Sequence, residues 1–452
     1  MLSSVAPRPI NMTVKTTEME VQASASGVSN PGRSGNVNQD AFFLLKDEPN
    51  QTMVFGVFDG HGRETGKDAA WTAKAFFEAQ FRAFTAEEYA QLEVNPEQMM
   101  TQMFSLCHLM IKSTFRSTYE HRGYIVEEDD ETGALIRREH DDPYGGVCIR
   151  GGTTATIVVT LHGGAKIITA NVGDSIALLG CDEPILSEQD MTTLDHDGTA
   201  KMLGHQKHRF RDEIKRNYLV LTGTHSADSD HEYRRIRSSS SSDETNNGSQ
   251  LQFLYDSSNL DHHQFSIFET TPGGVLQRNP RGAYFKNVRD EWATIVTTPA
   301  DAPFPDSLAF TRSLGDFHMH AYGVCDKPTV RVVSLEDAIK RSTTNQSDAG
   351  LDICPPVEFF LTVASDGIWD NWKYDGLLKF VFQHEKPDGP SRPDLWALMT
   401  MPAREEDLSH HHAIHELTES LLSNTLTRAE HFFGDQADNM TVILSHLAFK
   451  LT

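Results

Sequence analysis

Residues 151–175, GGTTATIVVTLHGGAKIITANVGDS, decide the fold class of this chain. Two runs rich in β-branched residues, 154–161 and 165–172, flank a turn that contains two glycines. This pattern predicts a β-hairpin of two buried antiparallel strands. Asp174 then follows the second strand directly after a glycine.

Similar patterns elsewhere in the chain predict further strands and two helices. The apolar runs 53–58, 358–364 and 439–445 have the length of buried strands. Residues 68–84 and 97–115 place Phe, Ala, Met and Leu at steps of three and four, which is typical of helices with one apolar face. Strands that form hairpins, with helices elsewhere, predict an α+β layered domain around antiparallel sheet.

Acidic residues stand at the ends of five of these strand-like segments. They are Asp40, Asp59, Asp174, Asp366 and Asp438. A single Asp-Gly pair is most often a turn, but no second strand follows Asp59 or Asp366 at hairpin spacing. Carboxylates gathered at sheet ends repel one another unless a cation neutralises them, and oxygen ligands suit Mg²⁺ and Mn²⁺. Two such ions about 3.5–4 Å apart form a clamp for displacement at phosphorus.

Three other residues, close in sequence to these aspartates, are candidate ligands or catalytic groups. Gly60 allows a close backbone approach, so that its carbonyl could be a metal ligand. His61 directly follows it and could donate a proton to a leaving group. Arg33, in the segment PGRSGN, could bind two phosphate oxygens with its guanidinium group.

Composition limits the class of protein. The 452 residues contain 40 Lys and Arg against 64 Asp and Glu, a formal net charge of −24. This charge opposes nucleic-acid binding, which depends on basic side chains. No run of 18 apolar residues predicts a membrane span. The five cysteines form no CxxC pair, which is typical of reduced thiols in a cytoplasmic or nuclear protein.

Taken together, eight segments resemble the metal-dependent protein Ser/Thr phosphatases, the PPM or type 2C family. In chain order they are Arg33 with NQDAF (38–42), VFDGHG (57–62), GGTTAT (151–156), ANVGDS (170–175), LDH (194–196), LAFTRSLGDF (308–317), VASDGIWD (363–370) and DNMTV (438–442). The matches run in the family's order and span nearly the whole chain.

The resemblance implies a fold and a metal pair. The fold would be two stacked antiparallel β-sheets flanked by helices, an α-β-β-α sandwich, with a long flap insertion. Asp59 would bridge two Mg²⁺ or Mn²⁺ ions, and Gly60 would bind one of them through its carbonyl. Asp366 and Asp438 would complete the shell of the second ion.

The resemblance also implies a third ion and the catalytic residues. Asp174 and Asp370 match positions linked to a third, looser ion. Arg33 would hold the substrate phosphate and His61 would act as general acid. Asp40, together with its neighbour Gln39, would orient metal-bound water.

The implied activity is that of a protein-serine/threonine phosphatase, a phosphoric monoester hydrolase. It would use water activated by two metal ions, without a phosphoenzyme. The expected partners are phosphoprotein substrates, with no nucleic acid and no membrane, and the chain is expected to be a monomer. Gln39 departs from the Glu of many members, Ile176 from a frequent Arg, and Gly151-Gly152 from a Ser-Gly start.

The predicted domain organisation is simple. A loose tail over residues 1–20 precedes a single catalytic domain over residues 21–452. Three insertions are expected at about 120–150, 197–306 and 384–412. The second insertion covers the flap and contains a Ser-rich loop at 224–250, which is expected to be disordered.

Three other interpretations stay open. The first is a catalytically silent scaffold with the same fold, which would bind phosphoproteins or kinases. The second is a two-metal nuclease, which the net charge of −24 opposes. The third is a zinc site on His205 and His208 or on His411 and His415, although no Cys or acidic partner stands at ligand spacing.

Overall fold

The structure is a computed structural model of the chain. It describes residues 8–16, 19–33, 37–142, 145–194, 216–239, 250–257, 265–271, 275–348, 356–383 and 407–451. Several residues that the predictions above include lie outside these ranges: Asp195, His196, His205, His208, the cysteine Cys354, and residues 240–249 and 384–406.

The first of two large sheets has six antiparallel strands. Their spatial order is β1 (Ile10–Lys15), β2 (Met19–Asn30), β24 (Met440–Leu451), β23 (Val357–Ala364), β12 (Ile176–Cys181) and β14 (Tyr218–Val220). The longest pairing joins β2 to β24 and therefore ties the two ends of the chain together.

The second large sheet also has six antiparallel strands. Their spatial order is β13 (Met191–Leu194), β22 (Thr329–Ser334), β11 (Lys166–Val172), β10 (Ala155–Leu161), β4 (Thr52–Phe58) and β3 (Ala41–Asp47). The predicted hairpin is confirmed as β10 and β11, with Ala155 opposite Val172.

Nine helices lie among the described residues. They are α1 (Gly66–Ala83), α2 (Ala86–Val94), α3 (Pro96–His121), α4 (Asp230–Ser239), α5 (Phe317–His320), α6 (Glu336–Asp348), α7 (Asp366–Trp369), α8 (Tyr374–Gln383) and α9 (Asp407–Phe433). The two predicted helices correspond to α1 and α3. In the parts of the chain that the structure covers, no helix combines the length and apolarity of a membrane span.

The two sheets stack face to face and helices cover both outer faces, which confirms the α+β sandwich. Side chains such as Phe55 and Leu361 fill the layer between the sheets. Helices α1 and α3 pack on the second sheet through Phe77 and Phe104. Helices α7, α8 and α9 cover the first sheet. Because both faces of the central strands are covered, β10 is buried along its whole length. Its sequence therefore does not alternate between apolar and charged residues.

The remaining strands are short. They are β5 (Gly60–His61), β6 (Ile125–Glu128), β7 (Leu135–Arg138), β8 (Val147–Cys148), β9 (Gly152–Thr153), β15 (Gln252–Tyr255), β16 (Phe265–Ser266), β17 (Phe268–Thr270), β18 (Leu276–Arg278), β19 (Thr294–Thr297), β20 (Ser307–Leu308) and β21 (Leu314–Gly315). Strands β15 to β19 lie in the segment 197–306 that is predicted to be the flap insertion, and a separate small core surrounds Phe253 and Val296 there.

The prediction of a loose tail over residues 1–20 is wrong for residues 10–15. These residues form β1 and pair along its whole length with β2. The sequence INMTVK alternates apolar and polar residues, so that Met12 and Val14 both point into the core, each 5% exposed.

The prediction of disorder over residues 224–250 is wrong for its first part. Residues 230–239 form helix α4, in which Glu232 is fully buried. The Glu232 carboxylate accepts hydrogen bonds from Arg312 at 2.6 Å, Arg235 at 2.9 Å and Thr311 at 2.6 Å. Burial opposes ionisation of this group, but Arg312 and Arg235 outweigh it and hold the pKa of Glu232 well below its ordinary value. Ionic contacts thus anchor this polar helix together with its buried apolar side chain, Ile236.

Glu232→Gln is expected to lower the free energy of unfolding by about 3–5 kcal/mol, because it leaves two buried guanidinium groups without their counter-charge. Chemical denaturation followed by tryptophan fluorescence measures this loss. The control is Glu78→Gln, which breaks an exposed pair with Arg82 of 2.6 Å and should cost about 0–1 kcal/mol. Equal losses in the two variants would show that the buried cluster does not anchor the flap.

Candidate functional site

The antiparallel pairing brings the predicted carboxylates to one edge of the sandwich. Asp40 precedes β3 and Asp59 follows β4, its neighbour in the second sheet. Asp366 follows β23 and Asp438 precedes β24, which are neighbours in the first sheet. Asp174 lies in the short link between β11 and β12, where the chain crosses from one sheet to the other. Register alone therefore gathers side chains that are far apart in the sequence.

A cavity of about 900 Å³ opens at this edge. Four carboxylates form one wall, which we call the acidic wall: Asp59, Asp174, Asp366 and Asp438. Gly60 and His61 also line the cavity, as do Pro303, Phe304 and residues 306–310. Asp40 and Asp370 lie beside the acidic wall, in electrostatic contact with it, but do not line the cavity.

The carboxylates of this site strongly disfavour one another's ionisation. Burial raises the pKa of Asp59 well above its ordinary value, and the charges of Asp40 and Asp366 raise it further. Burial likewise raises the pKa of Asp366, with further increases from Asp174 and other neighbours. The pKa of Asp438 is also raised by burial. Such a cluster holds excess negative charge that a cation would relieve.

Asp40 is fixed behind the acidic wall. Its Oδ2 atom accepts a hydrogen bond of 2.9 Å from the Ser365 hydroxyl group, whose oxygen accepts one of 3.0 Å from the Thr441 amide. Burial raises the pKa of Asp40 to about 7, although the side-chain hydroxyl groups of Thr441 and Ser365 oppose the rise. The other oxygen, Oδ1, is buried without a hydrogen-bond partner among the described residues, as is Oδ1 of Asp366.

The turn after β4 is shaped by close backbone contacts. The Asp59 amide donates to the Thr154 hydroxyl group at 3.0 Å, and the Asp59 carbonyl accepts from the Thr154 amide at 2.9 Å. A Cβ atom at Gly60 would lie 2.3 Å from the Gly66 carbonyl oxygen, so no other residue fits without a shift of backbone. The Gln39 side-chain amide donates to the Gly62 carbonyl at 2.8 Å and steadies the same turn.

His61 forms a dyad with Asp316, a residue that the sequence analysis did not single out. The His61 Nε2 atom lies 2.7 Å from Asp316 Oδ2, which also accepts a hydrogen bond of 2.7 Å from the Ser313 hydroxyl group. Burial lowers the pKa of His61, but the Asp316 carboxylate outweighs this effect and the net pKa is raised. His61 Nδ1 is buried and has no partner within the described ranges.

Asp316 itself has an unusual backbone. It adopts the left-handed conformation, with φ of 46°, immediately before helix α5. Non-glycine residues rarely adopt this conformation, and such positions concentrate at functional sites. Its motif, LGDF, belongs to one of the matched segments, so the resemblance contained a signal for this residue.

The structure does not bring Arg33 into the cavity. Its backbone amide donates to the Ala437 carbonyl at 2.9 Å, which places the residue beside Asp438. Its side chain, however, points to Glu430 on helix α9, with an Nε–Oε1 distance of 2.7 Å. The basic residues that line the cavity are Arg63, Arg137 and Arg150. The role of Arg33 in phosphate binding stays a prediction.

Within the described residues, no group of three or more His, Cys, Asp or Glu side chains is arranged as a ready-made metal site. The carboxylates of the acidic wall are nevertheless the donor type that Mg²⁺ and Mn²⁺ prefer. Without a cation between them, the carboxylates repel one another and are not drawn to the short separations that a shared metal ion would impose.

Comparison with known proteins gives likeness in structure alone. No model of a protein family matches the chain, and no curated protein sequence does. Among solved structures, a serine-threonine phosphatase 2C from Toxoplasma gondii is 15% identical with a TM-score of 0.49, covering 98% of this chain and 100% of that one. A sex determining protein from C. elegans is 16% identical with a TM-score of 0.44, covering 93% of this chain and 64% of that one. A serine/threonine phosphatase from Staphylococcus aureus is 13% identical with a TM-score of 0.38, covering 98% of each chain. Likeness at this level does not establish an activity.

In EDTA, the melting temperature is expected to fall by several degrees as the pH rises from about 4 to about 7. The reason is that Asp40 has a pKa of about 7 in the folded chain against an ordinary value of 3.8, so the folded state binds more protons across this range. Differential scanning calorimetry measures this dependence.

Asp40→Asn should flatten that fall, because the amide oxygen can still accept from Ser365 but carries no charge. The control is Asp182→Asn, which changes an exposed acid far from the site. A melting temperature that rises with pH over this interval would show that the carboxylates are not crowded.

Proposed function

We propose that this chain is a metal-dependent protein-serine/threonine phosphatase that hydrolyses phosphoserine and phosphothreonine with water and without a phosphoenzyme. The observation that supports it most is the acidic wall. Carboxylates from both sheets converge there on one open cavity, with the His61–Asp316 dyad beside them.

The residues present fit a pair of divalent cations. All donors of the acidic wall are oxygens, and Asp366 Oδ1 is buried without a partner in the described part of the chain. Asp59, Asp366, Asp438 and the Gly60 carbonyl would hold the ions. When bound, Mg²⁺ or Mn²⁺ supplies the positive charge that neutralises a phosphoryl group and that lowers the pKa of an attacking water molecule.

The His61–Asp316 dyad would supply the proton that the leaving group needs. Asp316 binds His61 Nε2 and favours the charged imidazolium, which leaves Nδ1 as the nitrogen that donates to the serine or threonine oxygen. The Ser313 hydroxyl group holds the Asp316 carboxylate in place. Asp316 therefore acts through His61, as a positioning residue.

Binding of the substrate phosphate by Arg33 would need a change of partner. The Arg33 and Glu430 side chains are 59% and 44% exposed, and an exposed pair of this kind contributes about 0–1 kcal/mol. A phosphate group bound beside Asp438 could therefore attract the guanidinium group at little cost. Arg63 and Arg150, which line the cavity, would help to attract a phosphorylated protein to a chain whose net charge is −24.

The direct test is phosphate release from a phosphothreonine peptide with Mn²⁺, with Mg²⁺ and with EDTA. We expect turnover with either metal and none in EDTA. Asp438→Asn should abolish turnover, while Asp435→Asn, three residues earlier and outside the lining of the cavity, should retain it. Full activity in excess EDTA would contradict the metal-dependent mechanism. Tight metal binding without phosphate release would favour the silent scaffold.

His61→Ala and Asp316→Asn should both slow hydrolysis of phosphothreonine by about 10²-fold or more, since this leaving group needs a proton. Both should affect an aryl phosphate much less, because its leaving group is a weak base. Steady-state kinetics on the two substrates measures the difference. An equal loss on both substrates would remove His61 from the role of general acid.

A further inference from the structure

A lysine of the flap insertion lies against the acidic wall. The Lys286 Nζ atom is 3.9 Å from Asp174 Oδ2, and the two side chains are 28% and 16% exposed. Its charge also acts on Asp370, which lies beside the acidic wall. Burial raises the pKa of Asp370 to about 6, and Lys286 is the largest of the influences that oppose this rise. Asp370 has a second cation of the same segment at ion-pair distance, since Arg289 Nη2 lies 3.9 Å from Asp370 Oδ1. Lys286 thus pairs with Asp174 and Arg289 with Asp370, the two carboxylates that the resemblance linked to a third metal ion.

The segment that carries this lysine is docked on the end of helix α7. We call residues 286–291, KNVRDE, the lysine loop. The Val288 amide donates to the Asp370 carbonyl at 3.1 Å, and the Asn287 side-chain amide donates to Asp370 Oδ1 at 3.2 Å. The Arg289 guanidinium group donates to the Trp369 carbonyl. Three consecutive residues of the lysine loop therefore contact Trp369 and Asp370.

The lysine loop is also closed internally. The Lys286 amide donates to the Glu291 carbonyl at 2.8 Å, and the Asn287 side-chain oxygen accepts from the Arg289 amide at 3.0 Å. Beside the loop, the rings of Phe285 and Trp292 stack with a centroid distance of 3.9 Å. The backbone of Lys286 is thus fixed on both sides, so that its ammonium group is held near the carboxylates at little entropic cost.

We propose that Lys286 is the resident counter-cation of Asp174 and, together with Arg289 on Asp370, takes the place of a third divalent ion at this pair of carboxylates. This inference rests on the proposed function and refines it: the site would use two metal ions and one tethered ammonium group. A tethered cation has a high effective concentration at its partner. A hydrated Mg²⁺ or Mn²⁺ ion would have to lose water and approach an ammonium group of like charge.

A second lysine pair near the same loop provides a matched control. Lys373 Nζ lies 3.8 Å from Asp290 Oδ2, almost the same separation, but the two side chains are 65% and 71% exposed. An ion pair in this setting is screened by solvent and has little effect on metal binding or stability.

Isothermal titration of Mn²⁺ into the full-length chain tests the proposal. The wild-type chain should bind two ions, and Lys286→Met should bind a third, weaker one. Lys286→Arg, which keeps the charge, and Lys373→Met should each bind two. If Lys286→Met binds the same number of ions as the wild-type chain, or fewer, the proposal is overturned.

A melting experiment in EDTA tests the same contact without metal or turnover. Lys286→Met should lower the melting temperature by roughly 2 °C or more, because the negative charge of Asp174 then repels the neighbouring carboxylates without a compensating cation. Adding Asp174→Asn to that variant should restore most of the loss. If the effects of the two substitutions on the melting temperature simply add, the two side chains are not coupled and the proposal is overturned. A chain that binds no divalent ion at all would refute the proposed function, while this cycle would still decide the role of Lys286.

Discussion

Repulsion among the carboxylates gathered at one edge of the sandwich is the constraint on which the site depends. Five strands end or begin there with an aspartate, and pairing between neighbours leaves the side chains no room to disperse. The apolar layers between and outside the sheets hold the strand ends in register against this repulsion. Under the proposed function, the negative charge concentrated at this edge attracts divalent cations, which in turn attract phosphoryl groups.

The flap insertion is connected to both halves of this site. Through the lysine loop it contributes a positive charge to the acidic wall. Through Glu232 it binds Arg312, which directly precedes Ser313, the hydroxyl donor to Asp316. A displacement of helix α4 would therefore reach His61 through three neighbouring contacts. Under the proposed function, these contacts give the flap a physical route to influence both metal binding and proton donation.

Local patterns in the sequence were sufficient for the hairpin, the two long helices and the aspartates at strand ends. These signals depend on period and on neighbouring residues, which a single sequence displays. The strand at residues 10–15 carries an alternation of apolar and polar residues that is a strand signal as well, but the sequence analysis assigned this segment to a tail. The partners of Arg33 and the cluster around Glu232 could not be predicted, because they join residues hundreds of positions apart or depend on ionic contacts within a polar segment. Lys286 could not be predicted for the same reason, since nothing in KNVRDE distinguishes it from a surface loop.

The central claim is that the acidic wall holds metal ions, and anomalous diffraction from crystals grown with Mn²⁺ tests it most directly. The account predicts two anomalous peaks in the cavity, both in contact with Asp59, with Asp366 and Asp438 on the second ion. A map with no peak at the acidic wall, from crystals whose Mn²⁺ concentration supports binding in solution, would contradict it.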